Sequence, residues 1–360
     1  MKVVFSGVNI FSGGTLNVYR ETLKDVVDQH LDENNTVIAF VFKKELFSDI
    51  QGKIEFIEVP FARKSYFHRI CFEFVYLKKW SKDKNVDLWI AMHDLSPNVI
   101  AKKKYTYFHS AQIFYRMPKN KIKYDLRTFA FSKLYKYFIS INSKKIDGYI
   151  VQADWIQYNM EKMFSPKSVV VIPPNTPMVE SMDINKGFCK DDIIRFIYPA
   201  YPRVFKNFEV IGEASRVLNQ YDLKYEILFT IDGTENAYSR MLYKHFSNDR
   251  HIIWLGIQDY KELQMKYMNS DVLIFPSELE TWGLPITEMI HYRKRIIAID
   301  LPYAHETASD YDDIVYFDST QALADEMRRI IEKGKKQCSS GLKKYFERER
   351  VCLLKELIDK

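Results

Sequence analysis

Short apolar runs of strand length alternate with amphipathic segments along the first half of the chain. Two of those segments, Leu16–His30 and Asp125–Ile141, have the spacing of amphipathic helices. Because strands that alternate with helices are typical of parallel sheets, the pattern predicts a parallel α/β fold. The predicted strands are Lys2–Val8, Thr36–Phe42, Lys53–Val59, Asp87–Ala91, Tyr105–Phe108, Gly148–Val151 and Ser168–Ile172.

The alternation is interrupted at Pro173-Pro-Asn-Thr-Pro177, and polar sequence continues to about Asp191. Three prolines within five residues allow neither a strand nor a helix to continue, so we predict a linker between two domains here. A final amphipathic helix, Gly341–Lys360, has no following strand and could pack back on the first half. The predicted domains are residues 1–175 and 176–340, followed by the helix at 341–360.

Beyond the linker the same alternation starts again, so the two halves are predicted to be similar α/β domains in tandem. The predicted strands of this half are Ile193–Tyr198, Tyr225–Ile231, Ile252–Leu255, Val272–Pro276, Arg295–Ile299 and Ile314–Phe317. The predicted helices are Phe208–Leu218, Ala237–Phe246, Lys261–Met268, Pro285–Tyr292 and Gln321–Glu332.

Composition agrees with two globular domains. The 360 residues are 47% hydrophobic and 28% charged, as in soluble proteins. The longest apolar stretches are far below the roughly 20 residues that cross a bilayer. The start of the chain is read as a strand and loop instead of a signal peptide, because the apolar run ends in Ser12-Gly13-Gly14. The four cysteines form no Cys-x-x-Cys pair, so we expect reduced thiols in a cytoplasmic protein and no zinc site.

The net charge of +6 is concentrated in one region. Between Lys102 and Lys145 there are 12 Lys or Arg residues, 11 Phe or Tyr residues and a single acid, Asp125. A second basic aromatic stretch precedes it, from Phe61 to Trp80. This composition suits a solvated basic face, an anionic membrane surface or nucleic acid. No zinc-finger or RNA-binding signature supports nucleic acid, which we do not expect as a partner.

The loop from Ser277 to Pro285 contains the most specific chemistry of the sequence. It follows a predicted strand, and ligands of parallel sheets bind at the carboxyl ends of strands, near helix N-termini. Glu280 lies on this loop and Glu288 on the next helix, and two carboxylates accept paired hydrogen bonds from vicinal hydroxyls such as those of sugars. Gly283 marks a close backbone approach, although both acids could also be ordinary surface residues.

The spacing Glu280-x7-Glu288 with an internal Gly-Leu-Pro resembles the donor-site signature of the retaining GT-B glycosyltransferases, especially family 4. Lys206-Asn207 resembles the basic segment of that family, although the usual Arg-x4-Lys is here Arg203-x2-Lys206. Ser12-Gly13-Gly14-Thr15 resembles its glycine loop, with Thr15 expected to cap the next helix, and Tyr107-Phe108-His109 resembles a strand end that carries an active-site histidine.

The resemblance implies two Rossmann-like domains that face a central cleft, with the C-terminal helix crossing back to the first domain. It implies catalytic roles for His109, Glu280 and Lys206, and an acceptor contact by Asp94 is a further expectation. Each has a plainer alternative, since His109 could be structural, Lys206 could begin a surface helix and the glycine pair could only shape a turn. The predicted donor-binding residues are Gly13, Gly14, Arg203, Lys206, Glu280, Thr281, Trp282, Gly283, Leu284 and Glu288.

The implied function is transfer of a sugar from a nucleoside-diphosphate sugar to a glycan or polyprenyl-linked acceptor, with retention of configuration. No cofactor and no metal ion are expected, because the nucleotide-sugar is a substrate and a lysine with helix N-termini can neutralise its diphosphate. The basic aromatic region suggests a peripheral protein on the inner face of the cytoplasmic membrane. Bacterial surface-polysaccharide synthesis, of O-antigen in lipopolysaccharide or of capsule, is the expected setting.

Four alternatives remain open: a sugar phosphorylase, a nucleotide-sugar epimerase, a nicotinamide-dependent dehydrogenase and a catalytically silent glycan-binding module. The dehydrogenase would need a fuller glycine fingerprint than this sequence contains.

Overall fold

The computed structural model describes residues 1–175, 191–335 and 351–358. The chain forms two compact units: unit 1 contains Met1–Phe114, Lys133–Pro177 and Glu349–Lys360, and unit 2 contains Tyr115–Ser132 and Met178–Arg348. Unit 1 therefore differs from the predicted domain 1–175, because residues 115–132 group with unit 2. We call these residues the 115–132 segment. Much of the predicted linker and the first part of the predicted C-terminal helix lie outside the described residues.

Unit 1 is built on a seven-stranded sheet in the order β3-β2-β1-β4-β5-β6-β7, with every neighbouring pair parallel. Hydrophobic residues of both faces are buried, as expected for a parallel sheet covered on two sides. Its strands are β1 (Lys2–Ser6), β2 (Thr36–Val41), β3 (Ile54–Glu58), β4 (Leu88–Ala91), β5 (Lys103–Tyr107), β6 (Gly148–Val151) and β7 (Val169–Val171).

The helices described in this part of the chain are α1 (Gly13–Asp28), α2 (Leu31–Asn34), α3 (Tyr66–Cys71), α4 (Leu77–Ser81), α5 (Leu126–Ser140) and α6 (Asp154–Phe164). A π-helical turn, Phe72–Tyr76, joins α3 to α4. The N-cap of α1 is Ser12 and Thr15 lies within the helix, where its hydroxyl donates to the Ser12 carbonyl, so the capping role predicted for Thr15 is wrong.

Unit 2 repeats the design with a six-stranded parallel sheet in the order β10-β9-β8-β11-β12-β13. Its strands are β8 (Ile194–Tyr198), β9 (Tyr225–Phe229), β10 (Ile252–Trp254), β11 (Val272–Phe275), β12 (Arg295–Ile299) and β13 (Ile314–Phe317). Its helices are α7 (Phe208–Leu218), α8 (Ala237–Phe246), α9 (Tyr260–Asn269), α10 (Leu284–His291), α11 (Pro302–Thr307) and α12 (Thr320–Lys333).

The strand predictions are confirmed, with every predicted strand present and its ends within two residues of the observed ones. The sequence did not assign a helix to α3, α4, α6 or α11. Helices α3 and α4 are short and are separated by the π-helical turn, and α11 has only six residues. None of these three helices is long enough to show a sustained helical period in the sequence.

The last described helix, α13 (Leu353–Ile358), belongs to unit 1. Cys352, Leu353, Leu354 and Leu357 lie in the same hydrophobic cluster as β1 and α1, which confirms that the end of the chain packs on the first domain. Within the described residues, no helix combines the length and the hydrophobicity needed to span a bilayer.

The strand order of each sheet reverses at one point, called the switch point. It lies between β1 and β4 in unit 1 and between β8 and β11 in unit 2. Loops that leave two such strands diverge to opposite faces of the sheet and open a crevice at their carboxyl ends. The fold therefore places one candidate crevice in each unit, and in unit 2 it is formed by residues 199–207 and 276–283.

Candidate functional site

The two loops at the switch point of unit 2 are tied together and to the sheet by hydrogen bonds. The Glu278 N–H donates to the Phe205 carbonyl at 2.7 Å. Two buried tyrosines fix one loop each: the Tyr198 hydroxyl donates to the Lys206 carbonyl at 2.7 Å, and the Tyr303 hydroxyl to the Ser277 carbonyl at 2.6 Å. Because their carbonyls are held in this way, the side chains of both loops start from fixed backbone positions.

Lys206 and Glu280 form an ion pair across these loops, and the two side chains are only 18% and 15% exposed. The ammonium also lies 5.7 Å from the Phe205 ring centroid and 6.0 Å from that of Phe275. The structure thus brings together two of the three residues predicted to be catalytic. A partly buried lysine is well suited to neutralise an anionic ligand, because its charge is only weakly screened by water. Such a ligand would compete with Glu280 for the Lys206 ammonium.

Gly283 is the N-cap of α10 and has φ +95°, a conformation that L side chains rarely adopt. The helix starts at Leu284, so Pro285 is its second residue and not its first as predicted. The first N–H groups of a helix have no partner within it and carry partial positive charge. Pro285 has no N–H and the Ile286 N–H donates to the Gly283 carbonyl at 2.8 Å, so the donor that this turn offers is the Leu284 N–H, four residues after Glu280.

Glu288 lies one turn into α10 and accepts a hydrogen bond from the Tyr267 hydroxyl at 2.7 Å. Burial raises the pKa of this carboxyl, and the bond from Tyr267 partly opposes the rise. The tyrosine holds Oε2, which leaves Oε1 available for a ligand hydroxyl.

Trp282 is 5% exposed, and its indole N–H donates to the Thr287 hydroxyl at 2.9 Å. Its carbonyl accepts from Thr307. The Trp282 side chain therefore holds the turn in place from inside unit 2, instead of offering its N–H to a ligand. Thr281 and Leu284, on either side, are partly exposed at the same turn.

Arg203 pairs with a different carboxylate from the one that Lys206 contacts. Its guanidinium lies 3.5 Å from the Asp125 carboxylate and 5.4 Å from the Tyr201 ring centroid. Asp125 belongs to the 115–132 segment, so this part of the N-terminal half is in contact with the loop after β8. The sequence did not reveal this contact, because 78 residues separate the two partners.

His109 follows β5 in unit 1, and its ring stacks on Tyr107 with centroids 4.4 Å apart. Nε2 lies 3.0 Å from the Met92 carbonyl, which can only accept, so Nε2 carries the proton and Nδ1 is the free acceptor. Burial lowers the pKa of His109 to about 4, against the opposite effect of Asp94. At neutral pH the imidazole is therefore uncharged. It would accept a hydrogen bond from a ligand hydroxyl and would not act as a cation.

Asp94 is held by hydrogen bonds within unit 1, and the acceptor contact predicted for it stays a prediction. Oδ1 accepts the backbone N–H groups of His109 and Ser110 at 2.6 and 3.0 Å, and Oδ2 accepts the Ser110 hydroxyl at 2.5 Å and the Tyr135 hydroxyl at 3.4 Å. The residue is 8% exposed. With both oxygens occupied, Asp94 fixes the turn that carries His109.

Gly13 and Gly14 are exposed at the N-terminus of α1. Gly13 has φ +70°, and no atom lies within 4 Å of the position of an added Cβ. The end of the loop after β1, around Gly13, is therefore open, unlike the packed turn at Gly283.

A buried charged cluster of unit 1 has no counterpart in the sequence predictions. Glu73, on the π-helical turn, is fully buried, and its Oε1 lies 2.6 Å from His93 Nε2 and 3.9 Å from Arg69 Nε. Among the described residues, none of these atoms makes a hydrogen bond of ordinary geometry. π turns are common at functional sites, but this one lies in a stretch where the sequence showed only its basic aromatic composition.

Within the described part of the chain, His, Cys, Asp and Glu side chains form no group of three that could hold a metal ion. The grouping of charges in unit 2 is instead one of lysines and arginines paired with carboxylates.

Residues 183–343 match the family described as "Glycosyl transferases group 1". A search of curated protein sequences finds no match. Among solved structures, the chain resembles sucrose-phosphate synthase from Thermosynechococcus elongatus, with 15% identity, a TM-score of 0.65 and coverage of 92% of this chain and 90% of that one.

Two other solved structures are similar over almost the whole chain. Anabaena Alr3699/HepE in complex with UDP and glucose has 13% identity and a TM-score of 0.62, with coverage of 100% of this chain and 98% of that one. The lipopolysaccharide outer core galactosyltransferase WaaB in its apo form has 14% identity and a TM-score of 0.61, with coverage of 92% and 91%. Residues 183–343 thus match the group 1 glycosyltransferases, and the two parallel α/β sheets of the chain have the GT-B fold.

Proposed function

We propose that this chain is a glycosyltransferase that moves a sugar from a nucleoside-diphosphate sugar to a glycan or lipid-linked glycan, with retention of configuration and without a metal ion. The observation that carries the proposal is the partly buried Lys206–Glu280 pair at the switch point of unit 2. It combines one cation with one carboxylate beside the N-terminus of α10, which are the groups that a diphosphate and a sugar require.

Each residue of the proposed donor site has a distinct role. Lys206 and the Leu284 N–H at the start of α10 bind the diphosphate, and Lys206 leaves Glu280 when it does so. Glu280 is then free to accept hydrogen bonds from sugar hydroxyls. Glu288 accepts the ribose hydroxyls through Oε1 while Tyr267 holds Oε2.

Catalysis in this proposal consists of charge stabilisation. When the nucleoside diphosphate departs, negative charge grows on its phosphate and positive charge on the sugar ring. Lys206 stabilises the first, and the acceptor hydroxyl loses its proton to the departing phosphate on the same face of the sugar. The neutral His109 acts as an acceptor through Nδ1 and orients a sugar hydroxyl, for which its low pKa suits it.

The proposed acceptor is a lipid-linked glycan at the cytoplasmic face of a bacterial membrane, in O-antigen or capsule synthesis. Unit 1 supports this with exposed apolar side chains interspersed with lysines and arginines. Tyr66 and Phe67 are 78% and 72% exposed, and such side chains suit the interface of an anionic bilayer. Other exposed residues of this kind are Ile70, Val75, Tyr76, Leu134, Tyr137, Phe138 and Ile141.

Nucleotide binding tests the donor part of the proposal. UDP is the first nucleotide to try, since the similar Anabaena HepE structure holds it, followed by GDP and ADP. A bound nucleotide at a hundredfold excess over its dissociation constant stabilises a fold by about 2.7 kcal/mol, which a thermal-unfolding series detects. Absence of stabilisation by all three nucleotides would contradict the proposed donor site.

Product analysis separates the proposal from its alternatives. A radiolabelled nucleotide-sugar should yield a glycoside on an added glycan or lipid-linked acceptor. Release of sugar 1-phosphate would indicate a phosphorylase, an altered sugar on the same nucleotide an epimerase, and oxidation with a nicotinamide a dehydrogenase. A cellular role that survives Glu288→Ala would indicate a silent glycan-binding module.

Sedimentation with vesicles of anionic phospholipid tests the membrane part. The double substitution Tyr66→Ser with Phe67→Ser should weaken binding, because it removes the two most exposed aromatic side chains of the surface. Ile257→Ser is a matched control, since Ile257 is 69% exposed in unit 2. Equal binding by both variants would contradict a membrane role for this surface.

A further inference from the structure

The 115–132 segment contacts the rest of unit 2 through three residues, all next to the loops of the proposed donor site. The Tyr115 ring packs edge-on against Phe205, with centroids 5.7 Å apart, and its hydroxyl donates to Glu278 at 2.8 Å. Asp125 pairs with Arg203 at 3.5 Å. A third attachment, through Lys121, involves two carboxylates at once.

Lys121 Nζ lies 3.4 Å from Glu209 Oε1 and 3.9 Å from Glu278 Oε1, and its side chain is 17% exposed. Glu209 is the second residue of α7, three positions after Lys206, and the Tyr238 hydroxyl holds its other oxygen. Glu278 is two positions before Glu280, on a backbone bonded to Phe205. Glu278 therefore lies on the same loop as Glu280, and Glu209 lies at the start of the helix that follows Lys206.

These carboxylates are poorly placed for an anionic ligand. A diphosphate near Lys206 would be repelled by the charges of Glu209 and Glu278, and repulsion is strong where side chains are partly withdrawn from water. Glu209 also lies in the first turn of α7, where its charge masks the positive end of that helix. A cation would relieve this repulsion, and among the described residues Lys121 lies within ion-pair distance of both carboxylates.

We propose that Lys121 is a positioning residue of the donor site: it neutralises Glu209 and Glu278 and so allows the diphosphate of the donor to bind beside them. The inference rests on the proposed donor site and adds to it a residue from the N-terminal half of the sequence. Tyr115 supports the same arrangement, since burial and the neighbouring Glu278 raise its pKa and keep the phenol protonated as a donor.

The test is a charge-compensation cycle measured with UDP, GDP and ADP by calorimetry, together with KM and kcat for the nucleotide-sugar. Lys121→Gln should weaken nucleotide binding about tenfold and raise KM for the donor with little change in kcat. Adding Glu209→Gln and Glu278→Gln to that variant should restore binding, because both repelling charges are gone. Lys119→Gln is the matched control, because Lys119 is an exposed lysine two positions earlier.

Unchanged binding by Lys121→Gln, or failure of the two glutamine substitutions to restore it, would overturn the inference. If Lys121→Gln does not fold, the double variant Glu209→Gln with Glu278→Gln in the presence of Lys121 decides instead. It should bind nucleotide at least as tightly as the unaltered chain, and weaker binding would overturn the inference. Failure of the proposed donor site gives a different result, since no nucleotide would then bind the unaltered protein.

Discussion

The switch points of the two units have the same strand order but differ in what their loops contain. In unit 2 the loops after β8 and β11 are tied to buried tyrosines and present a lysine paired with a carboxylate. In unit 1 the loop after β1 is exposed around Gly13, whereas on the loops after β4 and β5 Asp94 is buried and His109 is partly buried. The first arrangement is the one proposed to bind an anion, whereas the second combines a neutral imidazole with an open turn around Gly13. Equal topology therefore does not mean equal chemistry.

The largest expected effect concerns the charge of Lys206. Lys206→Ala should lower kcat/KM for sugar transfer by about a hundredfold to a thousandfold, because the departing diphosphate loses its cation. Steady-state kinetics measure this, and Lys224→Gln, at an exposed lysine of unit 2, is the control. A loss below about tenfold for Lys206→Ala would remove the distinction drawn between the two switch points.

The second prediction concerns the neutral imidazole of unit 1. An unfolded histidine titrates near pH 6.5, whereas folded His109 has a pKa of about 4, so only the unfolded chain takes up this proton between those values. The free energy of unfolding should therefore fall as the pH is lowered from about 6.5 to 4, by roughly 2–3 kcal/mol from this group. Urea unfolding at several pH values measures it, and His109→Gln should flatten the dependence. An equally steep dependence in that variant would show that other groups cause it.

The third prediction compares the two glycine turns. Gly283 has φ +95° in a packed turn, whereas Gly13 has φ +70° in open space. Gly283→Ala should cost about 2 kcal/mol and Gly13→Ala about 1 kcal/mol, because φ +70° is closer to the left-handed minimum that alanine tolerates. Denaturant unfolding of both variants measures the difference. Equal costs would mean that the turn at Gly283 relaxes and is not rigid.

The smallest expected effect separates stability from binding at Glu288. Burial raises the pKa of this carboxyl, so its ionisation disfavours the folded state as the pH rises through and above the unfolded value. Glu288→Gln removes that charge and keeps an acceptor for Tyr267, so the variant should be as stable as the parent at pH 7 or more so. Nucleotide affinity should fall about tenfold, as a charge-assisted bond to ribose is lost. Unaltered affinity in calorimetry would remove Glu288 from the site.

Local patterns in the sequence were sufficient to predict the strands, because each is a short buried run bounded by polar residues. They also located the Glu280–Glu288 turn and Lys206, which lie at positions defined by strand ends. The pairing of Lys206 with Glu280 and of Asp125 with Arg203 depends on contacts across 74 and 78 residues, which periodicity does not encode. The role of Asp94 was missed for a related reason, since its hydrogen-bond partners are set by how the loop after β5 folds back.

The basic aromatic region Lys102–Lys145 is divided between the two units, which its composition could not indicate. Its middle part, with Lys121, belongs to unit 2, while Tyr137 and Phe138, exposed aromatic residues near its C-terminal end, belong to unit 1. Charge counts along the sequence treat these lysines as equivalent. The structure distinguishes one that is paired with two carboxylates from others that face solvent.

Helix α5 begins in one unit and ends in the other, because the division falls between Ser132 and Lys133. This bears on how such enzymes can be recombined. A chimera that exchanges only residues 176–340 would separate Arg203, Glu209 and Glu278 from the side chains at 115, 121 and 125 that contact them. Exchanging the segment from Tyr115 to Ser132 together with the C-terminal half keeps those partners from one parent, and defines the portable part of the protein as two stretches of sequence.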